Sequence, residues 1–443
     1  MTVVTRLTAP LLLPCDPGCS VLRDGVLDID GDGRIAWCGP AVDAPDAPGA
    51  SVRRLDGLLL PGLVNAHCHT PMTVLRGMGG DLPLMRWLRE VMWPAEARLA
   101  APDVRAGMLL GCVELLRAGV TTSVEMYFYT DAVAEAVLAA GSRVVLTPGI
   151  IDAPGWDRLG TWRQMLDEVS ARIDSDGLRY GPGERVELGY GPHAAYTLPA
   201  EALPAVADAA AERGALVHLH LAETADEDAA QRARYGSVPR MLHELGVLGR
   251  ADRLLAAHAV HLDAEDIALL ARHGVAVAHC PGSNAKLAAG TAPVGALRSA
   301  SVPLALGTDG PASSDDLDLW STARLAGRLA RLASGDAADL TAADLLLLAT
   351  RHGAAAIGRP DLGSLEPGRW ADVVHVSTDD PAFLDLDDDA GLLSNLVWAG
   401  GGRLVRDVWV AGSQVLAAGE PTQVDRASVQ SSARAVATRL RHP

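Results

Sequence analysis

Short apolar runs alternate with amphipathic stretches from Leu58 to about Ala356, and this alternation restricts the fold more than any other feature of the chain. Strand-length runs fall at 58–65, 120–127, 143–150, 186–191, 215–221, 254–260, 275–280 and 302–307. Segments with helical periodicity lie between them, among them 102–117, 131–140, 200–213, 263–272 and 342–352. Eight strand–helix units in a span of this length is the count of a (β/α)8 TIM barrel. The expected class is α/β.

The flanks read as β structure. Residues 21–39 alternate apolar and polar side chains around Asp-Gly turns, a hairpin pattern. The Asp30-Gly-Asp-Gly-Arg34 cluster lacks the downstream ligands and closing Glu of an EF-hand, so it reads as a turn and not a calcium loop. After Gly358, Leu365 to Val376 and Val408 to Leu416 read as strands, followed by a helix over 425–440. The simplest packing joins both chain ends into one small β-sandwich. The expected division is 1–57 and 361–443 for the sandwich and 58–360 for the barrel, which suits a chain of 443 residues.

Composition narrows the partners. A formal net charge of -17 leaves no surplus to neutralise phosphates, which argues against nucleic acid. No apolar run approaches the roughly 18 residues of a spanning helix, and the Leu11-Leu-Leu-Pro stretch is too short for a signal peptide. Six cysteines without framework spacing point to a reducing cytoplasm. The expected state is a homo-oligomer acting on a small molecule.

Chemistry in a barrel collects at the C-terminal ends of the strands. The first strand ends in His67-Cys-His69, two imidazoles spaced to share a face. With 13 histidines in the chain, chance alone supplies roughly 0.4 such pairs, so the pair needs company. It has it: His193 follows the fourth strand, His218 and His220 lie in the fifth with Glu223 just beyond, His258 lies in the sixth and Asp309 follows the eighth. Three histidines and an aspartate hold a divalent ion, zinc first with iron or manganese as alternatives, and leave a place for water. The ligand set is His67, His69, Asp309 and either His218 or His220, which share a strand face. Water at such a centre ionises near neutral pH, with Glu223 and His258 as proton carriers.

These motifs resemble the amidohydrolase superfamily over nearly the whole chain. Pro61-Gly-Leu-Val-Asn-Ala-His67-Cys-His69, His220-x-x-Glu223, Ala256-Ala-His258 and Gly307-Thr-Asp309-Gly are similar to its mononuclear, cytosine deaminase-type branch. Two-metal relatives bridge their ions with a modified lysine on the fourth strand; the only lysine here, Lys286, follows the seventh. Pro71-Met-Thr-Val-Leu-Arg-Gly, Trp93-Pro-Ala-Glu96 and Gly191-Pro-His193-Ala-Ala-Tyr196 resemble the methylthioadenosine/S-adenosylhomocysteine deaminase group. The resemblance implies hydrolytic deamination of an adenosine-type nucleoside at C6. It chooses His220 over His218 as ligand, gives Glu223 the protonation of ring N1, and has His258 with Asp309 deprotonate the water. It also implies that Glu96 binds ribose hydroxyls, that His193 lies beside ribose and metal, and that Trp93 belongs to the same substrate motif.

Departures concern the substrate tail. Pro148 stands where relatives accepting S-adenosylhomocysteine carry arginine, removing a partner for a carboxylate. Arg158, a few residues on, is the substitute candidate. Cys280 and Ser314-Asp315 replace the usual asparagines of their motifs. The competing readings are deamination of another amino-heterocycle (guanine, 8-oxoguanine, a pterin, cytosine or an aminotriazine) and a non-catalytic barrel. Glu96 speaks against the first and the intact ligand set against the second.

Overall fold

The structure, a computed structural model, describes residues 2–153 and 155–441. Five strands open the chain: β1 (Val3–Leu12), β2 (Leu22–Asp30), β3 (Ile35–Pro40), β4 (Ser51–Arg54) and β5 (Leu58–Pro61). The β2–β3 turn is built by Asp30, whose Oδ1 accepts the amides of Asp32 and Arg34 at 3.0 and 2.9 Å. The Asp-Gly cluster is thus a self-capped turn, as expected.

The middle of the chain supplies β6 (Leu63–Cys68), β7 (Val120–Glu125), β8 (Arg143–Leu146), β9 (Gly149–Ile150), β10 (Arg179–Tyr180), β11 (Val186–Leu188), β12 (Gly191–Pro192), β13 (Val217–Leu221), β14 (Leu254–His258), β15 (Ala276–His279) and β16 (Leu304–Leu306). Its α/β alternation follows the sequence, and helices such as Ala101–Arg117, Ala202–Arg213 and Ala264–Arg272 fall where periodicity puts them. One sheet runs β10-β11-β8-β7-β6, a second β13-β14-β15-β16, and β12 pairs with β9. A parallel bridge between Tyr190 and Val217 links the first group to β13. Beyond β16 the Asp309 amide donates to the His67 carbonyl at 3.0 Å. One apolar cluster draws Val64 and Ala66, Val124, Val145, Leu255, Ala278 and Ala305 from six of these strands.

β17 (Val373–Val376), β18 (Val405–Val410), β19 (Ser413–Ala417) and β20 (Glu420–Pro421) close the strand list. They join the opening strands in one nine-stranded sheet, ordered β20-β19-β18-β17-β5-β1-β2-β3 with β4 beside β1. Both chain ends share this sheet.

Several expectations need correction. The runs at 143–150 and 186–191 each divide, into β8 and β9 and into β11 and β12, with β9 and β12 paired to each other apart from the sheet that holds β8 and β11. The run from Leu58 to Asn65 is two strands, because β5 pairs with β1 and β17 while β6 pairs with β7. They part at Gly62, where a Cβ would stand 2.0 Å from Thr121 Oγ1. The stretch from Leu365 forms a strand only at Val373–Val376, and Val408 to Leu416 spans β18 and β19 across a turn. The helix over 342–352 is two, Ala342–Leu348 and Arg351–Ala356. At the break the Ala349 carbonyl accepts the Val64 amide at 2.8 Å instead of continuing the helical ladder.

Between Arg76 and Arg98 a cap crosses the strand ends, helical over 84–96 with a π-turn at Leu88–Met92. The terminal helix Arg426–Arg441 holds both its ends. Arg441 donates to the Arg76 carbonyl at 2.5 Å, and Arg98 to the carbonyls of Arg439 and Leu440 at 2.8 Å.

Candidate metal centre and active site

Strand ends bring the polar residues together. His67 is the last residue but one of β6, with His69 just beyond; His218 and His220 lie in β13; His258 closes β14; and Asp309 follows β16. The chain turns sharply as it leaves these strands, with φ of 46° at Ala222, 72° at His258 and 64° at Asp309. Left-handed backbone at such residues costs free energy and concentrates at functional sites.

Hydrogen bonds fix which imidazole nitrogen carries the proton. His69 Nδ1 lies 2.7 Å from the Met126 carbonyl, and His220 Nδ1 lies 2.8 Å from the His193 carbonyl. A carbonyl only accepts, so both Nδ1 atoms are donors and both Nε2 atoms carry lone pairs. His67 is fixed by a relay. The Thr147 hydroxyl donates to the Glu125 carbonyl at 3.0 Å, so it accepts from His218 Nδ1, also at 3.0 Å. His218 Nε2 then accepts from His67 Nδ1 at 2.8 Å, leaving His67 Nε2 a lone pair. His218 therefore backs His67, while His220 faces the centre.

The convergent atoms fit a metal ion. His69 Nε2 is 3.2 Å from His220 Nε2, and Asp309 Oδ1 is 3.3 Å from the Nε2 atoms of both His67 and His69. A tetrahedral ion with bonds of about 2.0–2.1 Å separates its donors by about 3.4 Å. His67 Nε2 is buried without a hydrogen-bond partner among the described residues. Burial pushes His67 down to about 4 and lowers His69 as well, so both rings are neutral, as ligands must be. Asp309 is held by the Gly310 amide at 2.7 Å on Oδ1 and the Ser313 hydroxyl at 2.9 Å on Oδ2.

His258 faces the same point. Its Nδ1 meets Asn284 Oδ1 at 2.8 Å, and its Nε2 is buried without a partner among the described residues. The Glu223 carboxyl lies 3.9 Å from that Nε2, beyond hydrogen-bonding distance. Burial, with the Asp309 carboxylate nearby, raises the Glu223 carboxyl well above its ordinary range, which favours its protonated form.

A cavity of about 640 Å³, its mouth included, rises from this floor. Leu84, Trp87, Leu88 and Trp93 from the cap form one wall, facing Phe128 and Trp156, which stack at 4.1 Å. Glu96 and His193 also line it. The Tyr127 hydroxyl donates to Glu96 Oε1 at 2.9 Å, yet burial raises the Glu96 carboxyl to about 7. His193 Nδ1 bonds Thr197 Oγ1 at 3.1 Å, and its ring lies 4.6 Å from that of His220. Arg158 stands apart from the lining: it is exposed and donates to Tyr129 Oη and the Glu96 carbonyl at 2.8 and 2.9 Å. Thr147, Asn284 and Tyr127 are site residues that strand-end reading misses. Only Asn284 had a signal, its place in the His279-Cys-Pro-Gly-Ser-Asn284 motif.

The amidohydrolase family model matches residues 58–415. The chain belongs to the amidohydrolase family. It is 38% identical over 423 residues to a 5-methylthioadenosine/S-adenosylhomocysteine deaminase of Pelotomaculum thermopropionicum, covering 95% of each. It is 39% identical to a 5'-deoxyadenosine deaminase of Methanothermobacter thermautotrophicus, covering 89% of this chain and 91% of that one. An adenosine deaminase of Xanthomonas campestris, solved with bound zinc, superposes at a TM-score of 0.90 with 37% identity, covering 100% and 99% of the two chains. Within this amidohydrolase the family match spans the strand-end histidines and, of the nine-stranded sheet, all of β5, β17 and β18.

Proposed function

We propose that the protein is a metal-dependent hydrolase of C–N bonds that deaminates an adenosine-type nucleoside at C6, releasing ammonia. The observation that carries this reading is the convergence of three Nε2 lone pairs and the Asp309 carboxylate beneath an aromatic cavity bearing a buried Glu96. His67, His69, His220 and Asp309 would hold one ion, and zinc suits their nitrogen and oxygen donors. When bound, the ion supplies the Lewis acidity that makes water nucleophilic near neutral pH.

The chain's own residues manage the protons. Glu223, whose buried setting favours the protonated form, donates to ring N1. His258 Nε2, held as a lone-pair acceptor by Asn284, takes the proton from water with Asp309 beside it and returns it to the leaving amino group. Glu96 accepts from ribose hydroxyls, with His193 on the side of the ribose nearest His220. Trp93 and the stacked Phe128 and Trp156 exclude water from the bound ring.

Among the described residues the cavity lining has no arginine or lysine. With Arg158 tied to Tyr129 and Glu96, neutral 5′ tails are favoured over the zwitterionic tail of S-adenosylhomocysteine. The strand order, the Tyr190–Val217 bridge and the Asp309–His67 bond support a closed eight-stranded barrel. The shared nine-stranded sheet supports a sandwich from both chain ends, with β5 counted with the sandwich, so that the first border moves from 57 to Pro61 and the second stays near 360. Six free cysteines support a reducing cytoplasmic setting.

Ammonia release by zinc-loaded protein tests the reading. The panel holds adenosine, 5′-deoxyadenosine, methylthioadenosine, S-adenosylhomocysteine and the free bases, with Asp309→Asn as control. Turnover of nucleosides, neutral tails first, is expected. Turnover of free bases alone would remove the ribose role of Glu96 and leave the metal centre standing.

A further inference from the structure

A buried carboxyl that the proposed reaction does not use lies behind the end of β13. Glu227 sits in the first turn of the helix Ala225–Tyr235, whose N-cap Thr224 accepts the Glu227 amide through its hydroxyl at 3.3 Å. Thr-x-x-Glu is the sequence of a capping box, in which the Glu side chain returns to the amide of the capping Thr. Glu227 does something else. Its Oε2 accepts the amide of Glu223, at 2.8 Å, one residue before the cap. The residue is 4% exposed, and its second oxygen is buried without a hydrogen-bond partner among the described residues. Helix capping alone does not account for this placement.

The corner that Glu227 grips is already strained and pinned. Ala222 is left-handed, with φ of 46°. Its carbonyl accepts the amides of Val260 and His261 at 3.1 and 3.0 Å, and the Leu221 carbonyl accepts that of Ala259 at 3.0 Å. The loop after His258 therefore holds the carbonyl side of the corner, and Glu227 holds its amide side. We propose that Glu227 is a positioning residue that fixes the Glu223 backbone and so aims its carboxyl toward His258, an inference that rests on Glu223 being the proton donor. Through this corner the two proton carriers keep one geometry.

Three variants of the full, metal-loaded chain test it. Glu227→Gln keeps an oxygen acceptor of the same reach and is expected to stay within about 3-fold of wild-type kcat. Glu227→Leu removes the acceptor and is expected to lose about 10–100-fold in kcat, as a small misplacement of a reacting group does, with KM and metal content unchanged. Amide exchange at Glu223 should quicken in Glu227→Leu and not in Glu227→Gln. If Glu227→Leu does not fold, Glu227→Asp, which keeps the carboxyl group and shortens its reach, carries the same expectation. Retained kcat without the acceptor, a loss in KM instead of kcat, or equal losses for Gln and Leu would overturn the proposal. The exchange readout needs no turnover, so a wild type silent on nucleosides would sink the functional reading without deciding this one.

Discussion

The Nε2 atoms of His69 and His220 stand 3.2 Å apart with a lone pair on each directed at the other. Two such lone pairs repel unless a cation lies between them, so the protein and its ion are thermodynamically linked.

Chelation should therefore lower the thermal midpoint, and zinc should restore it in proportion to the logarithm of its free concentration. At one hundred times Kd the linkage amounts to about 2.7 kcal/mol. Calorimetry with and without zinc reads it. Identical midpoints would mean that these donors hold no ion.

His218 and His220 should separate cleanly. His218→Gln disturbs only the group behind His67, and a supporting group of that kind costs about 10–100-fold in metal affinity. His220→Ala removes a ligand and should abolish stoichiometric binding. Competition against a chelating dye ranks them, and the reverse order would exchange their roles.

Glu96 makes substrate affinity pH-dependent. Burial raises its carboxyl to about 7, against the Tyr127 hydrogen bond and the nearby Arg158. Below that pH it is protonated and loses one acceptor; above it, it is ionised. KM for a nucleoside should rise as pH falls through about 7, and Glu96→Gln should flatten the profile at the higher value. A wild-type KM that is flat between pH 6 and 8 would count against the ribose role.

Asp372 should matter for stability and not for chemistry. It pairs with the fully buried Arg143 of β8 through both oxygens, at 2.9 and 3.0 Å, and accepts the Ala411 amide at 2.7 Å. Asp372→Ala strands a buried guanidinium, which costs about 3–5 kcal/mol. Urea midpoints should fall accordingly, while kcat of the folded fraction holds.

The convergence of His67, His69, His220 and Asp309 was legible because each falls at an apolar strand's end, and strand order brings those ends together whatever the loops do. The relay behind His67 was not. Thr147 and His218 follow and lie in different strands, and no local pattern marks a hydrogen bond between them. Arg158 read as a substrate candidate because its charge is visible in sequence, while the Tyr129 and Glu96 acceptors that occupy it are not. The break at Gly62 left only the Pro61-Gly62 dipeptide as a trace, since both sheets bury their share of that apolar run.

That single glycine makes the flanking sheet inseparable from catalysis. A fragment cut to residues 58–360, to isolate the chemical half of the molecule, would strip β5 of both its neighbours, β1 and β17, and leave Leu58, Leu59 and Leu60 as a bare adhesive ribbon leading to His67. Such a fragment should clump before it could load its ion. Engineers wishing to transplant this centre must carry both ends of the chain with it.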